Sequence, residues 1–340
     1  MTKMYKLLFL SLVFSSTLVS ISSYSWLGMW LGLEMNLLSI MPLMQNSKSI
    51  LSSESAIKYF IVQAIASTIV MVSIICLMTK TQLTSQASIQ STFFLMINSA
   101  LMTKMGIAPF HFWLPEVLEG LDWMTCLLVL TWQKIAPMVL LMYNMSFNLF
   151  TTTVIVSSMV VSGVMGVNQI STRKIMAYSS INHMGWMLSS MMIMETIWLF
   201  YFIIYATITI NLAMMMNKYK IFFMNQLHQS MNENPMAKLW FTVNFLSLSG
   251  IPPFLGFLPK WITVQALVSN GAIILPVTMI ILTLLTVFMY IRITLSSVVM
   301  NVSEQKWTKI NTFFNSTLMS MINFVSISSL IFITIAFNMT

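Results

Sequence analysis

Long uncharged apolar runs, joined by short polar connections that hold most of the cations, set the pattern of this chain. A helix rising 1.5 Å per residue needs about 20 apolar residues to cross a hydrocarbon layer, and the runs divide on that length. Spans are predicted at 7–21, 26–44, 59–79, 91–115, 123–143, 149–170, 175–194, 196–217, 239–268, 272–291 and 315–338. The first, preceded by Lys3 and Lys6, has the outline of a signal peptide. The second follows after only the Ser-rich 22–25, so the first reads as a helix too. The expected fold is all-α: a polytopic membrane protein of about eleven transmembrane helices.

Charge placement tests the count. With these spans one side of the membrane receives Lys3, Lys6, Lys48, Lys58, Arg173, Lys174, Lys218, Lys220, Lys238, Arg292, Lys306 and Lys309, and the other Lys80 alone. Such asymmetry is what the positive-inside rule predicts, and one missing span would scramble it. The acidic connection Glu116, Glu119, Asp122 is the exception, and carboxylates weigh little in that rule.

The chain also matches itself. GIAPFHFWLPE at 106–116 aligns without gaps to GIPPFLGFLPK at 250–260, with Gly, Ile, Pro, Phe, Leu and Pro shared. Each segment falls in the fourth helix of a five-helix block. A block with an odd number of spans makes the next enter from the opposite face, so two inverted five-helix repeats are expected, each with a broken fourth helix. The domain division is 1–145, 146–300 and a 301–340 connection with one C-terminal helix. Recurrence of Gly-Pro breaks by convergence is the plainer reading, and the shared residue order argues against it. Gly106, Pro109, Pro252 and Pro253 are the predicted breaks. Proline removes a backbone donor, and backbone opened at that depth must be buried in protein or line water. Inverted repeats with discontinuous helices place ion sites near the midplane.

Four charges cannot be assigned to a membrane face. Glu34 lies 14 residues from Lys48, roughly 21 Å of helix. Lys104 and Lys134 each stand twelve residues from an acidic neighbour, Glu116 and Asp122, or roughly 18 Å. Lys260 follows the second break, far from Lys238 and Arg292. Only a lysine near a helix end can reach the surface. Burying such charges costs on the order of 3 kcal/mol each by insertion scales, and proton transfer is the first reading of them. Lysine suits that task because burial favours its neutral form and a nearby carboxylate its charged form. Plainer roles stay open. Glu34 could satisfy a Ser, Asn or Lys across a helix contact, and Lys134 could anchor carbonyls freed by Pro137. His183 in YSSINHMG either bridges Lys134 and Lys260 or packs as a hydrogen-bonded core residue. His111 is equally open, and His228 reads as loop.

Composition excludes more than it adds. Charged residues are 7% and apolar residues 58% of 340, whereas soluble domains run near a quarter charged. The net charge of +8 is spread without a basic block, so no nucleic-acid partner is expected. Cys76 and Cys126 sit alone, and the histidines are scattered, so neither a metal site nor a cofactor is expected in this chain. The 35 methionines are mostly packing filler.

WLGLEMN around Glu34, KMGIAPFHFW from Lys104, LTWQKIAPM around Lys134, RKIMAYSSINHMGWM at 173–187 and GIPPFLGFLPKW at 250–261 resemble the antiporter-like membrane-arm subunits of mitochondrial respiratory complex I, NADH:ubiquinone oxidoreductase. The resemblance runs from about Trp26 to Arg292, and Lys260, where a sibling subunit has glutamate, points to the chain 2 family. It implies two inverted five-helix bundles and proton-transfer residues at Glu34, Lys104, Lys134 and Lys260. It implies NADH, FMN, iron–sulfur clusters and ubiquinone in other subunits, with this chain coupling their electron transfer to proton pumping. The partners it implies are neighbouring antiporter-like chains, accessory subunits and lipids, cardiolipin among them. It implies the mitochondrial inner membrane, with the N-terminus in the matrix and the C-terminus in the intermembrane space, and a form without the three N-terminal helices of the bacterial subunit. Abundant methionine fits a mitochondrial code in which an isoleucine codon reads as Met. The alternatives are a free-standing Na+/K+:H+ antiporter, which asks for more buried carboxylates than Glu34, and a structural spacer of the membrane arm.

Overall fold

A computed structural model describes residues 2–45, 49–80, 87–145, 147–231 and 235–299. The connection after 300 and the span expected at 315–338 lie outside them. Among the described residues every regular element is helical, apart from an isolated bridge between Ser171 and Phe223. The order is α1 Thr2–Ser22, α2 Trp26–Met44, α3 Ile50–Lys80, α4 Ala87–Met105, α5 Trp113–Gly120, α6 Trp123–Leu130, α7 Trp132–Met142, α8 Leu149–Val167, α9 Thr172–Met191, α10 Glu195–Tyr219, α11 Met224–Met231, α12 Pro235–Ser249, α13 Phe257–Ser269 and α14 Ile274–Val299. Among the described residues seven helical stretches are long and apolar enough to cross a membrane: those of α1, α2, α3, α8, α10 and α14, and α6 with α7 taken as one span. The described residues gather into two compact units, divided between Thr151 and Thr152.

In the first unit α1 lies close along α2, because Gly32 has no Cβ to strike the Ser20 backbone, which would stand 2.7 Å from it. Trp30 on α2 donates its indole N–H to the Ser67 carbonyl of α3 at 3.0 Å. The outer face of α3 is an apolar stripe at helical spacing, with Ile57, Ile61, Ile65, Ile69 and Val72 all exposed. A soluble helix carries its polar residues there; this one offers hydrocarbon to hydrocarbon. The many hydroxyls are handled locally. Ser16, Ser20, Ser67 and Ser73 each donate to the carbonyl three residues back, which spares them a partner elsewhere.

In the second unit α8 and α14 approach through Gly163, whose added Cβ would lie 2.9 Å from Leu285 Cβ. Gly185 of α9 is likewise closed off by the Ser158 hydroxyl of α8. Helix α9 differs from the lipid-facing helices, since Ile175 through Met191 is buried throughout. Its base is clamped by the α10–α11 connection: the Thr172 N–H and hydroxyl both donate to the Phe222 carbonyl at 3.0 Å, and Met224 N–H to Ile170 O at 3.2 Å.

The span predicted at 123–143 is found as Trp123–Met142, interrupted only between α6 and α7 at Thr131, whose hydroxyl donates to the Leu127 carbonyl at 2.7 Å. Two local expectations need correction. Helix α3 begins at Ile50, so Lys58 lies inside it rather than before it; the Glu54–Lys58 pair one turn apart, 3.0 Å, supports the extra turns. His228 falls in the short helix α11 rather than in a loop, where Leu227 is buried as its apolar anchor.

Candidate functional site

The first unit holds three of the expected residues on three helices, Glu34 on α2, Lys104 on α4 and Lys134 on α7. Helix α4 stops at Met105 because Gly106 takes φ +72°, and Gly106 N–H to Thr103 O (3.1 Å) with Ile107 N–H to Met102 O (3.2 Å) close the left-handed cap. That stop leaves Lys104 in the last turn, 7% exposed, where the carbonyl end of a helix favours a cation. Side chains also bond to this turn. Trp113 Nε1 donates to Thr103 O at 2.9 Å, and Gln63 Nε2 of α3 to Lys104 O at 3.2 Å. Glu34, half-buried at mid-α2, is near enough for its charge to act on Lys104, without the 3.0 Å contact that exposed Lys58 makes with Glu116.

Lys134, 2% exposed, is the third residue of α7, one turn after the Thr131 interruption. Pro137 has no N–H to return to the Gln133 carbonyl. The Gln133 side chain crosses to α2 and donates to Asn36 Oδ1 at 2.9 Å, so a polar link runs from beside Lys134 to two residues from Glu34. His111 sits buried in the α4–α5 break against Phe112, ring centroids 4.4 Å apart.

The second unit holds Lys260 and His183. The break opens at Gly250, φ +75°, with Gly250 N–H bonded to Ser247 O at 3.1 Å. Both breaks contain a cis X-Pro bond, Ala108–Pro109 and Pro252–Pro253. Lys260, 8% exposed in the first turn of α13, reaches back and donates from Nζ to the Ser249 carbonyl at the end of α12, 2.7 Å. Its ammonium also stands 5.9 Å from the centroid of the Trp186 ring of α9, within cation–π range. One turn along α9, His183 Nδ1 lies 2.9 Å from the Tyr201 hydroxyl of α10, and the Tyr205 ring is 5.2 Å away. Asn182 Nδ2 donates to Thr286 Oγ1 at 3.3 Å.

Lys104, Lys134, Lys260 and His183 are therefore all buried, and Glu34 only partly so. Asn36, Gln63, Gln133, Trp186 and Tyr201 escape the sequence reading, whose only signal for them is polarity inside an apolar run. Asn182 Oδ1 and Trp186 Nε1 are buried without a protein partner; such groups are ordinarily met by ordered water. Among the described residues no three His, Cys, Asp or Glu side chains gather as a metal site.

The family described as NADH:quinone oxidoreductase/Mrp antiporter, TM, matches residues 23–286. NADH-ubiquinone oxidoreductase chain 2 of Anopheles gambiae is 44% identical over 99% of this chain and 99% of its own length. That of Oryctolagus cuniculus is 40% identical over 84% of this chain and 83% of its own. The fold is also similar to a chain of respiratory complex I from Thermus thermophilus, at TM-score 0.83 and 20% identity, covering 96% of this chain and 78% of that one. A chain of an Mrp complex from a Dietzia species is similar at TM-score 0.72 and 17% identity, over 83% and 58%. By the extent and identity of these matches, the chain belongs to the NADH:quinone oxidoreductase/Mrp antiporter membrane family and, within it, to the NADH-ubiquinone oxidoreductase chain 2 proteins.

Proposed function

We propose that this chain is a proton-translocating membrane-arm subunit of respiratory NADH:ubiquinone oxidoreductase in the mitochondrial inner membrane. The observation that carries the reading is three lysines kept from solvent beside interrupted helices, with a carboxylate in electrostatic reach of the first. Groups of this kind inside a membrane are costly and mark ion pathways. The lysines belong to eleven spans arranged as two inverted five-helix repeats, each with a broken fourth helix, and a C-terminal helix. The N-terminus faces the matrix and the C-terminus the intermembrane space. NADH, FMN, iron–sulfur clusters and ubiquinone act in other subunits, and neighbouring membrane-arm chains, accessory subunits and lipids such as cardiolipin surround this one.

Charge rearrangement in neighbouring subunits moves Glu34 relative to Lys104. A two-unit swing in proton affinity is about 2.7 kcal/mol, against about 2.3 kcal/mol to move one proton through 100 mV. A carboxylate switch is thus of the right size to load and unload a lysine. Lys104 passes its proton to Lys134 and onward toward Lys260, with His183 as the intervening group. The test is Lys104→Met in the assembled complex, reconstituted in vesicles. Proton pumping is expected to be abolished or strongly reduced while the complex remains assembled, and an unchanged proton-to-electron ratio removes Lys104 from the pathway. For Lys260 the bond to Ser249 O favours a second reading, a cation that caps α12. Under that reading Lys260→Met destabilises the subunit and leaves the ratio intact.

A further inference from the structure

The helices packed on α9 carry few titratable side chains at this level. Helix α10 sets Tyr201 and Tyr205 against His183, α13 brings Lys260 to Trp186 of α9, α14 brings Tyr290 to Ser179 of α9, and α8 has no titratable side chain. Of these, Tyr201 makes the short contact, 2.9 Å from its hydroxyl to Nδ1, and both residues are buried, at 1% and 3% exposure. Tyr205 is engaged instead with Ser180.

We propose that Tyr201 is a positioning residue for His183: its oxygen accepts the Nδ1–H in both charge states of the ring, so that Nε2 gains and loses the proton. The inference rests on the proposed passage of protons through His183. The chemistry constrains the choice of nitrogen. An imidazolium can only donate from Nδ1, whereas a neutral imidazole donates from one nitrogen and accepts at the other. Only the neutral form with hydrogen on Nδ1 keeps the tyrosine contact unchanged through a cycle. Nε2 then takes up H+ and returns it, with no other bond made or broken. Free choice between the two tautomers would let the proton settle on Nδ1, facing the tyrosine in a closed pocket.

The test is Tyr201→Phe, compared with His183→Gln and the double variant in assembled, vesicle-reconstituted complex, with pumping expressed per assembled complex across pH. Charge-assisted bonds are stronger than neutral ones, so losing the oxygen disfavours the imidazolium more. The alkaline limb of pumping is expected to move to lower pH by about one unit, a tenfold change in proton affinity. The double variant is expected to match His183→Gln alone, since Tyr201 acts through the histidine. If His183→Gln lowers pumping while Tyr201→Phe leaves the profile in place, or if the two losses add, the positioning role is wrong and the histidine's role stands. If His183→Gln changes nothing, the passage through His183 fails, and the assignment to Tyr201 with it.

Discussion

Gly250 holds φ +75°, and a Cβ there would lie 2.8 Å from both Cδ and Nζ of Lys260. The glycine therefore serves twice, turning the chain and leaving room for the ammonium to reach Ser249 O. Gly271 holds φ +79° with nothing within 4 Å, so the pair separates the two roles. Gly271→Ala should cost only the left-handed backbone, about 1–2 kcal/mol, with pumping retained. Gly250→Ala should lower thermal stability further and displace Lys260, and equal melting temperatures for the two variants would show that the lysine contact adds nothing. At this scale the charged residues were legible because an ion in an apolar run has few bland explanations. Gln63, Gln133 and Tyr201 were not, because a lone amide or phenol in a helix gives no sign of which neighbour it will meet.

The Gly106 cap that ends α4 takes the Thr103 carbonyl, which Trp113 Nε1 shares, and Gln63 of α3 takes that of Lys104. Gln63→Leu keeps the volume and removes the donor, leaving a buried carbonyl unpaired at a cost of about 1–3 kcal/mol. A fall in the melting temperature of the complex checks it, and an unchanged one would mean the carbonyl finds another donor. The Gly-Pro signatures predicted both breaks, since those residues are the ones that stop a helix from within. The Thr131 interruption carried no such mark. Threonine is common in apolar helices, and a hydroxyl bond to the carbonyl four residues back, here Leu127 O, is one such helices ordinarily make.

Across the whole molecule, exposed apolar stripes and buried polar residues invert the arrangement of a soluble protein. Ile65 lies on the exposed face of α3, in line with Ile61 and Ile69. Ile65→Lys places a charge mid-span against lipid, at about 2.5–3.5 kcal/mol on insertion scales, and should reduce membrane-integrated protein in a fractionation assay. Lys58→Ala, which breaks pairs whose side chains are 44–58% exposed, should leave integration unaltered, as exposed pairs contribute little. Helix content, seven of the runs long enough to cross a membrane, the helix stops at Gly106 and Gly250 and the buried lysines followed from residue type and spacing, because crossing hydrocarbon imposes a length and a polarity that no neighbour can waive. Which polar groups meet had to wait for the packing. Gln133 on Asn36, Tyr201 on His183 and Lys260 on Ser249 O join residues 97, 18 and 11 positions apart. A hydrogen bond at 2.7–2.9 Å depends on the rotation of each helix about its axis, and only the fitting of neighbouring side chains sets that rotation.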